Sequence, residues 1–122
     1  MFFEINPFNI DQRLISEAVK ALRSGGLVIF PTDSVYAIGC DLNHKKALHQ
    51  LAKFKKEKLS KVHFSILCKD ITELASHTKH LNKPTFKLLK QCLPGPYTFI
   101  LSANTRIPKL FDSKKKEIGG RI

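Results

Sequence analysis

The stretch GGLVIFPTDSVYAIGCD, residues 25–41, places a glycine pair, an apolar run and a group of polar side chains in direct succession. Residues 27–30 are continuously apolar, which is typical of a strand covered on both faces, and Pro31 ends such a strand because it cannot donate to a ladder. The hydroxyls of Thr32 and Tyr36 follow at once. Ligands of open α/β sheets bind outside the carboxyl ends of strands, so these hydroxyls are candidate ligand contacts. The same residues are good turn material, and spacing alone leaves both interpretations open.

Helices and strands are predicted to alternate on both sides of this stretch. Residues 2–5 form a short strand candidate, and residues 11–24 have the apolar spacing of an amphipathic helix, with Asn9 and Gln12 as a capping box. A second helix is predicted with Asp41 or Asn43 as its N-cap, and its buried stripe is Ala47, Leu48, Leu51 and Ala52. Asp70 and Asn82 are the predicted N-caps of two further helices, and further strands are predicted at 63–67, 97–102 and 117–122. This order indicates an α/β fold in a single domain spanning residues 1–122.

Composition favours an anionic partner. The 122 residues include 21 Lys and Arg against 10 Asp and Glu, a net charge of +11. Such an excess favours nucleic acid or a nucleotide as partner, but a basic pI is also common in small proteins that have no anionic partner. Three widely spaced cysteines without a C-x-x-C pair predict neither a disulfide framework nor a zinc site. We expect a cytoplasmic protein, because the chain shows neither a signal peptide nor an apolar run long enough to span a membrane.

A lysine-rich segment, KFKKEKLSK at residues 53–61, follows the second predicted helix. Its single acid is Glu57 and its five lysines are Lys53, Lys55, Lys56, Lys58 and Lys61. Lysines in this density can contact an RNA backbone or neutralise phosphates at a cleft. They also suit a solvated helix end, and this alternative stays open.

Two further motifs carry weaker signals. In PGPYTFIL, residues 94–101, a glycine can let a ligand approach the backbone beside Thr98, or it can simply separate a helix from a strand. His77 and His80 have helical spacing but no third ligand nearby, so we interpret them as surface histidines and predict no metal site. Neither a phosphate-binding loop nor a G-x-S-x-G nucleophile motif is present.

Taken in order, GGLVIFPTDSVYAIGCD, KFKKEKLSK, LPGPYTFIL and IGGRI resemble the YrdC-like family, from about residue 10 to residue 122. That family includes threonylcarbamoyl-adenylate synthases of the TsaC type and the related YciO proteins. The resemblance implies a twisted, open, mixed sheet with flanking helices and a deep, positively charged cavity. It also implies ligands: the synthases use ATP, L-threonine and bicarbonate, with Mg²⁺ on the nucleotide, to form threonylcarbamoyl-adenylate for transfer RNA modification. Several members bind double-stranded RNA.

The resemblance assigns substrate- and nucleotide-binding roles to six positions: Thr32, Tyr36, Lys55, Lys61, Thr98 and Arg121. Fixed cations among them suit adenylate formation, which moves negative charge onto a leaving pyrophosphate, and no covalent nucleophile is expected. RNA contacts are expected at Lys53, Lys56 and Lys58.

The chain also departs from the synthase pattern. Glu57 stands where the family's K-x-R motif has arginine, and its carboxylate repels phosphate. Ala37 replaces a glycine, and the family's later Ser-x-Asn motif is not found; Ser102-Ala103-Asn104 has those letters in another place. These departures favour the YciO branch, with the C-terminal strands of the family expected to be missing. The expected function is therefore RNA or nucleotide binding, and the alternative is threonylcarbamoyl-adenylate synthesis with ATP and Mg²⁺.

Overall fold

The computed structural model describes residues 1–111 and 116–122 and confirms a mixed α/β fold. Its helices are α1 (Gln12–Arg23), α2 (Lys45–Phe54), α3 (Ile71–Ala75), α4 (Lys83–Cys92) and α5 (Arg106–Leu110). Its strands are β1 (Val28–Pro31), β2 (Tyr36–Gly39), β3 (Ser65–Leu67), β4 (Phe99–Ser102) and β5 (Glu117–Arg121). No helix within the described ranges is long and apolar enough to cross a membrane.

The larger sheet has the strand order β3-β5-β4, with β5 parallel to β3 and antiparallel to β4. Because side chains alternate across a strand, register sorts them onto two faces. Ile66 and Phe99 flank Gly120 on the face that packs on the core. Ser65 and Ile100 flank Gly119 on the opposite face, where both side chains are exposed. We call this second side the open face.

One hydrophobic core joins the elements from α2 onward. Buried side chains from four helices and two strands of the larger sheet form it, including Leu48, Leu74, Leu89, Ile107 and Ile118. Gly120 is part of this packing, because a Cβ at this position would overlap the side chain of Leu74. The glycine therefore lets α3 lie directly on the central strand.

The smaller sheet is an antiparallel hairpin of β1 and β2, paired from Val28 with Gly39 to Pro31 with Tyr36. The expectation that the β1 run is covered on both faces is wrong, because Ile29 is 68% exposed. An antiparallel hairpin needs no crossover helix and leaves one face of β1 in solvent. The polar segment after β1 is consequently a hairpin turn and not a strand-to-helix loop.

The helix ends confirm two of the predicted caps and correct a third. Asn82 caps α4, with its side chain accepting a hydrogen bond from the Thr85 N–H at 2.9 Å, and Asp70 caps α3 in the same way, as the sequence predicts. The predicted cap of α1 is wrong, since Asp11 is its N-cap instead of Asn9.

Two further predictions in the N-terminal part of the chain are wrong. The N-cap of α2 is His44, which makes no side-chain capping bond, instead of Asp41 or Asn43. Residues 2–5 form no strand. They lie outside both sheets, so β propensity alone had no neighbouring strand to pair with.

Candidate functional site

The hairpin turn between β1 and β2 is organised by the hydroxyl of Thr32. This hydroxyl donates to the Val35 carbonyl and accepts from the N–H groups of Ser34 and Val35, both at 3.2 Å. The backbone adds a bond from the Thr32 N–H to the Val35 carbonyl at 3.2 Å. Thr32, a predicted ligand contact, thus has its hydroxyl engaged in the turn, while Tyr36 at the start of β2 is exposed.

Arg121 joins this turn to the larger sheet. It is the last residue of β5, aligned with Leu67 of β3, and its carbonyl accepts from the Cys68 N–H at 2.8 Å. Its Nη2 forms an ion pair with an Asp33 carboxylate oxygen and donates to the Ser34 hydroxyl at 3.2 Å. The guanidinium therefore lies between the open face and the hairpin, while the backbone of Arg121 is fixed in the central strand.

The surface beside Arg121 is lined by small groups. The Cβ of an alanine in place of Gly119 would lie 3.0 Å from the Ser65 hydroxyl oxygen and 3.1 Å from the Thr98 methyl carbon. Thr98, another predicted contact, is exposed and lies just before β4 on this face. Because Gly119 has no side chain, the centre of the open face is left uncovered, and a ligand there can approach the backbone. Thr98 and Arg121 are the two predicted site residues that the sheet brings to one surface.

The lysine-rich segment lies elsewhere: Lys53 is in the last turn of α2, and the other four lysines follow the helix. Its five lysines are all exposed, while Leu59 and Val62 are buried and fix the loop to the core. Lys56 adopts a left-handed backbone conformation, with φ of 59°, which turns the chain sharply here. The result is an anchored loop that presents cationic side chains, including Lys61, to solvent.

Lys55 and Arg121 are positioned at opposite ends of β3. The ammonium of Lys55 lies 5.6 Å from the centre of the Phe64 ring, just before the strand begins. Arg121 aligns with Leu67 at its far end. At about 3.3 Å per residue, these anchor points are about 10 Å apart along the strand.

Glu57 belongs to the lysine-rich segment, at the Lys55 end of β3 and not at the Arg121 end. Glu57 is exposed, and with Lys58 and His49 it lines an open cavity of about 330 Å³. Of the predicted site residues, Lys58 alone contributes to this cavity, and a second cavity lies between α4 and β4. The six predicted ligand contacts are therefore distributed over the hairpin, the open face and the lysine-rich segment.

Two titratable side chains are buried away from these surfaces. Burial, followed by Glu73 and Asp70, raises the pKa of Cys68 to about 11, so this thiol stays protonated at neutral pH. His77 is 8% exposed, which corrects its interpretation as a surface histidine. Burial lowers the pKa of His77, Arg106 lowers it further, and Glu73 opposes them. His77 precedes Thr78, which pairs with Ala103 in an isolated bridge, and the His77 carbonyl accepts from the Asn104 N–H at 3.1 Å.

Sequence reasoning missed the residues that link the hairpin to the sheet. Asp33 and Ser34 have the character of turn residues, although they contact Arg121 across 88 and 87 positions of sequence. The available signal was the carboxylate itself, since an acid between candidate ligand hydroxyls invites a search for a distant cation. Gly119 and Ser65 carried no such signal, because their role depends on strand register.

Comparison with known proteins gives a consistent result. A family model named Sua5_yciO_yrdC, with the description "Telomere recombination", matches residues 20–122. The YciO protein of Escherichia coli is 39% identical over 99% of this chain, which spans 58% of that relative. A threonylcarbamoyl-AMP synthase of Nitrosococcus oceani is 32% identical over 86% of this chain and 56% of its own length.

Solved structures share the fold. The crystal structure of P. abyssi Sua5 complexed with L-threonine superposes with a TM-score of 0.83 at 24% identity, covering 93% of this chain and 33% of that one. At this identity the likeness concerns the fold. The chain thus spans a little over half the length of the curated relatives and about a third of this structural neighbour.

Proposed function

The chain belongs to the Sua5–YciO–YrdC family, and on that premise we propose that it is a YciO-type domain that binds RNA and a nucleotide at separate basic sites. RNA contacts the lysine-rich segment, and the nucleotide phosphates approach Arg121 on the open face. The observation that carries the proposal is the lysine-rich segment, which presents five exposed lysines within nine residues at the end of α2 and in the anchored loop after it. The identity to YciO over nearly the whole chain supports the same branch.

The charge distribution supports a backbone-directed, sequence-independent mode of RNA binding. Lysine ammonium groups neutralise phosphates as point charges. Phe54 is the single aromatic residue of the segment, so the segment offers few rings on which bases could stack. Binding of this kind releases counterions, so its affinity falls steeply with salt. Lys53, Lys55, Lys56 and Lys58 are the contacts we assign to the RNA backbone, with Lys61 at the end of the same loop.

The test measures double-stranded RNA affinity by fluorescence anisotropy over a range of salt concentrations. Replacing Lys53, Lys55, Lys56 and Lys58 by glutamine is expected to weaken binding and to reduce the salt slope by about one for each phosphate that is no longer neutralised. A matched variant replaces four exposed lysines elsewhere: Lys69, Lys79, Lys83 and Lys87. Equal decreases in affinity in both variants would show that net charge, and not this loop, carries the binding.

A second candidate function is threonylcarbamoyl-AMP synthesis from ATP, L-threonine and bicarbonate, with Mg²⁺ on the nucleotide. The similarity to a relative with that name favours it. In this reaction Thr98, Arg121 and Tyr36 contact the substrates. The positive charge of Arg121 offsets the negative charge that develops on the leaving pyrophosphate. Glu57 among the lysines opposes it, because a carboxylate there repels phosphate.

Pyrophosphate release that depends on both threonine and bicarbonate tests the synthase candidate. Activity in the natural chain, raised by Glu57→Arg, supports it. Release that is absent from folded protein and not restored by Glu57→Arg overturns it without affecting the RNA proposal.

A further inference from the structure

The outer edge of β4 carries backbone groups that no other strand of the described residues pairs with. β4 is the last strand in the order β3-β5-β4, so β5 occupies only one of its two edges. The Ala103 N–H donates to the Lys116 carbonyl at 2.8 Å, in the register of the β4–β5 ladder. Antiparallel pairs alternate between hydrogen-bonded and non-hydrogen-bonded. The N–H and C=O groups of Ile100 and Ser102 therefore point away from β5.

The chain itself uses only one end of this outer edge. The Lys79 N–H donates to the Ser102 carbonyl at 2.9 Å, which confirms that this carbonyl points outward. After Lys79 the chain leaves the edge and begins α4. A cavity of about 250 Å³ lies between the first turn of α4 and the outer edge of β4. The two backbone groups of Ile100 border this cavity and have no hydrogen-bond partner among the described residues.

β4 lacks three of the features that usually protect a sheet edge. An unprotected edge pairs readily with another extended chain, and proteins prevent this with charged residues, prolines or bulges. β4 has the sequence FILS, without a charge or a proline, and its pairing with β5 runs through four successive residues without a bulge. The Ile100 side chain is also 71% exposed. The outer edge of β4 is thus open to a partner that binds through its main chain.

The charges around this edge favour an acidic partner. Lys79 and His80 line the cavity, and Lys83 begins α4; all three are exposed. Glu117, opposite Ser102 in the ladder, is the single acid of β4 and β5. A second copy of this chain would bring the same lysines together, and each copy carries a net charge of +11. Like-charge repulsion therefore opposes edge-to-edge pairing between copies.

We propose that the outer edge of β4 binds an acidic, extended segment of a partner protein as an added strand. Main-chain hydrogen bonds to Ile100 and Ser102 hold the segment, as in other cases of strand addition to a free sheet edge. Lys79 and Lys83 attract its acidic side chains. Arg121 and the lysine-rich segment take no part, so the proposed nucleotide and RNA binding can fail without affecting this interaction.

The first test measures fluorescence anisotropy of a labelled peptide of alternating glutamate and valine, about six residues long like a typical strand. Ile100→Pro removes the outward N–H but no bond to β5, so the ladder is kept. We expect the affinity to fall about fivefold or more, because a main-chain hydrogen bond is lost and the ring obstructs the edge. Ile100→Val keeps the N–H and should change the affinity less than about twofold. Equal affinities in the two variants, or no binding to the wild type, overturn the proposal.

Two N-methylated forms of the same peptide test the added strand in the unaltered protein. Alternate residues of an extended chain direct their N–H groups to the same side. Methylation of every second nitrogen therefore blocks either the side that faces β4 or the side that faces solvent. We expect one of the two peptides to lose binding and the other to keep it. Equal loss or equal retention overturns the added strand even if Ile100→Pro does not fold.

Charge reversal tests the acidic character of the partner. Lys79→Glu combined with Lys83→Glu should weaken peptide binding about fivefold or more, because two attractions become repulsions. The matched control reverses two exposed lysines on other surfaces, Lys46 and Lys69, and should change the affinity less than about twofold because of screening. Equal effects of the two double variants overturn the assignment to Lys79 and Lys83. Equally tight binding of a peptide of alternating lysine and valine overturns the acidic partner.

Two further measurements distinguish other occupants of the edge. Sedimentation of the wild type and of Ile100→Pro detects pairing between copies, and a dimer that Ile100→Pro abolishes would assign the edge to a second copy. Double-stranded RNA is added as a competitor to the peptide complex, and displacement that Lys79→Glu with Lys83→Glu abolishes would assign the groove to nucleic acid. Either result overturns the acidic protein partner. A monomeric wild type whose peptide resists the RNA supports it.

Discussion

The two ends of the described chain are packed very differently. None of the residues 1–46 is fully buried, although α1 and the hairpin both carry apolar side chains. From Ala47 onward, buried side chains occur in every described helix, and most of them belong to one cluster. Secondary structure forms in both regions, but fully buried side chains occur only in the second, while Cys40 and Leu42 of the first are partly buried against its core. Local propensity and capping therefore suffice to define helices and strands. Whether their apolar side chains become buried depends on the elements that pack against them.

The contrast also assigns different tasks to the two regions. The core holds β5 and the anchored lysine loop in fixed positions, whereas the hairpin brings Asp33 to Arg121 at the edge of the open face. Functional loops are drawn from regions of low local stability that a rigid scaffold positions. The Arg121 contact joins the two regions, so it combines a rigid donor with an acceptor on the less buried element.

The largest expected effect is the difference in unfolding free energy between two isoleucine-to-alanine variants, one in each region. Ile107 of α5 is 0% exposed, and Ile107→Ala is expected to lower the free energy of unfolding by about 2–5 kcal/mol, because it removes transfer free energy and leaves a cavity. Ile29→Ala, the matched change in the hairpin, should cost about 0.5 kcal/mol or less. Urea denaturation followed by circular dichroism measures both. Similar decreases would show that β1 is covered in solution.

A smaller effect distinguishes the two faces of β5. Gly120→Ala should cost about 1–3 kcal/mol, because the new methyl group overlaps the fully buried side chain of Leu74. Gly119→Ala places its methyl group beside the Ser65 hydroxyl and Thr98, at the uncovered surface, and should cost less. Chemical denaturation compares the two variants. A greater cost at Gly119 would contradict the assignment of the core to the Gly120 face.

The smallest expected effect is a pH dependence of the free energy of unfolding that arises from the buried His77. The folded-state pKa of His77 is lowered by burial and by Arg106, so the unfolded chain binds its proton more tightly. The contribution of His77 is therefore complete above its ordinary pKa and is lost as the pH falls below about 6.5 towards the folded value. Unfolding free energies at pH 8 and pH 5.5 should show this decrease.

Histidine variants attribute that pH dependence. His77→Gln should remove part of the difference between the two pH values, whereas His80→Gln, at an exposed position, is the matched control. An unchanged pH difference in His77→Gln would show that its protonation is not linked to folding.

Much of the fold and a smaller part of the site were predictable from sequence. The apolar stripe of α2, consisting of Ala47, Leu48, Leu51 and Ala52, is buried as predicted, because helical periodicity records which side faces the core. Periodicity could not show that the run before Pro31 belongs to a hairpin, because four residues are too few to separate a strand covered on both faces from a strand with one exposed face. The family was likewise predictable from the order of its motifs.

The sequence by itself determined helices α1 to α4, strands β1, β3, β4 and β5, the caps of α3 and α4 and the family, because all of these depend on neighbouring residues or on motif order. It did not predict β2 or α5. Only the tertiary structure decided which candidates meet. Strand register placed Gly119 towards solvent and Gly120 against Leu74, and it positioned Arg121 beside a turn 88 residues earlier in the chain. Register follows from packing across the whole sheet, and a shift by one residue would exchange the two faces. The meeting of Arg121 with Asp33 is therefore a property of the fold and not of either motif.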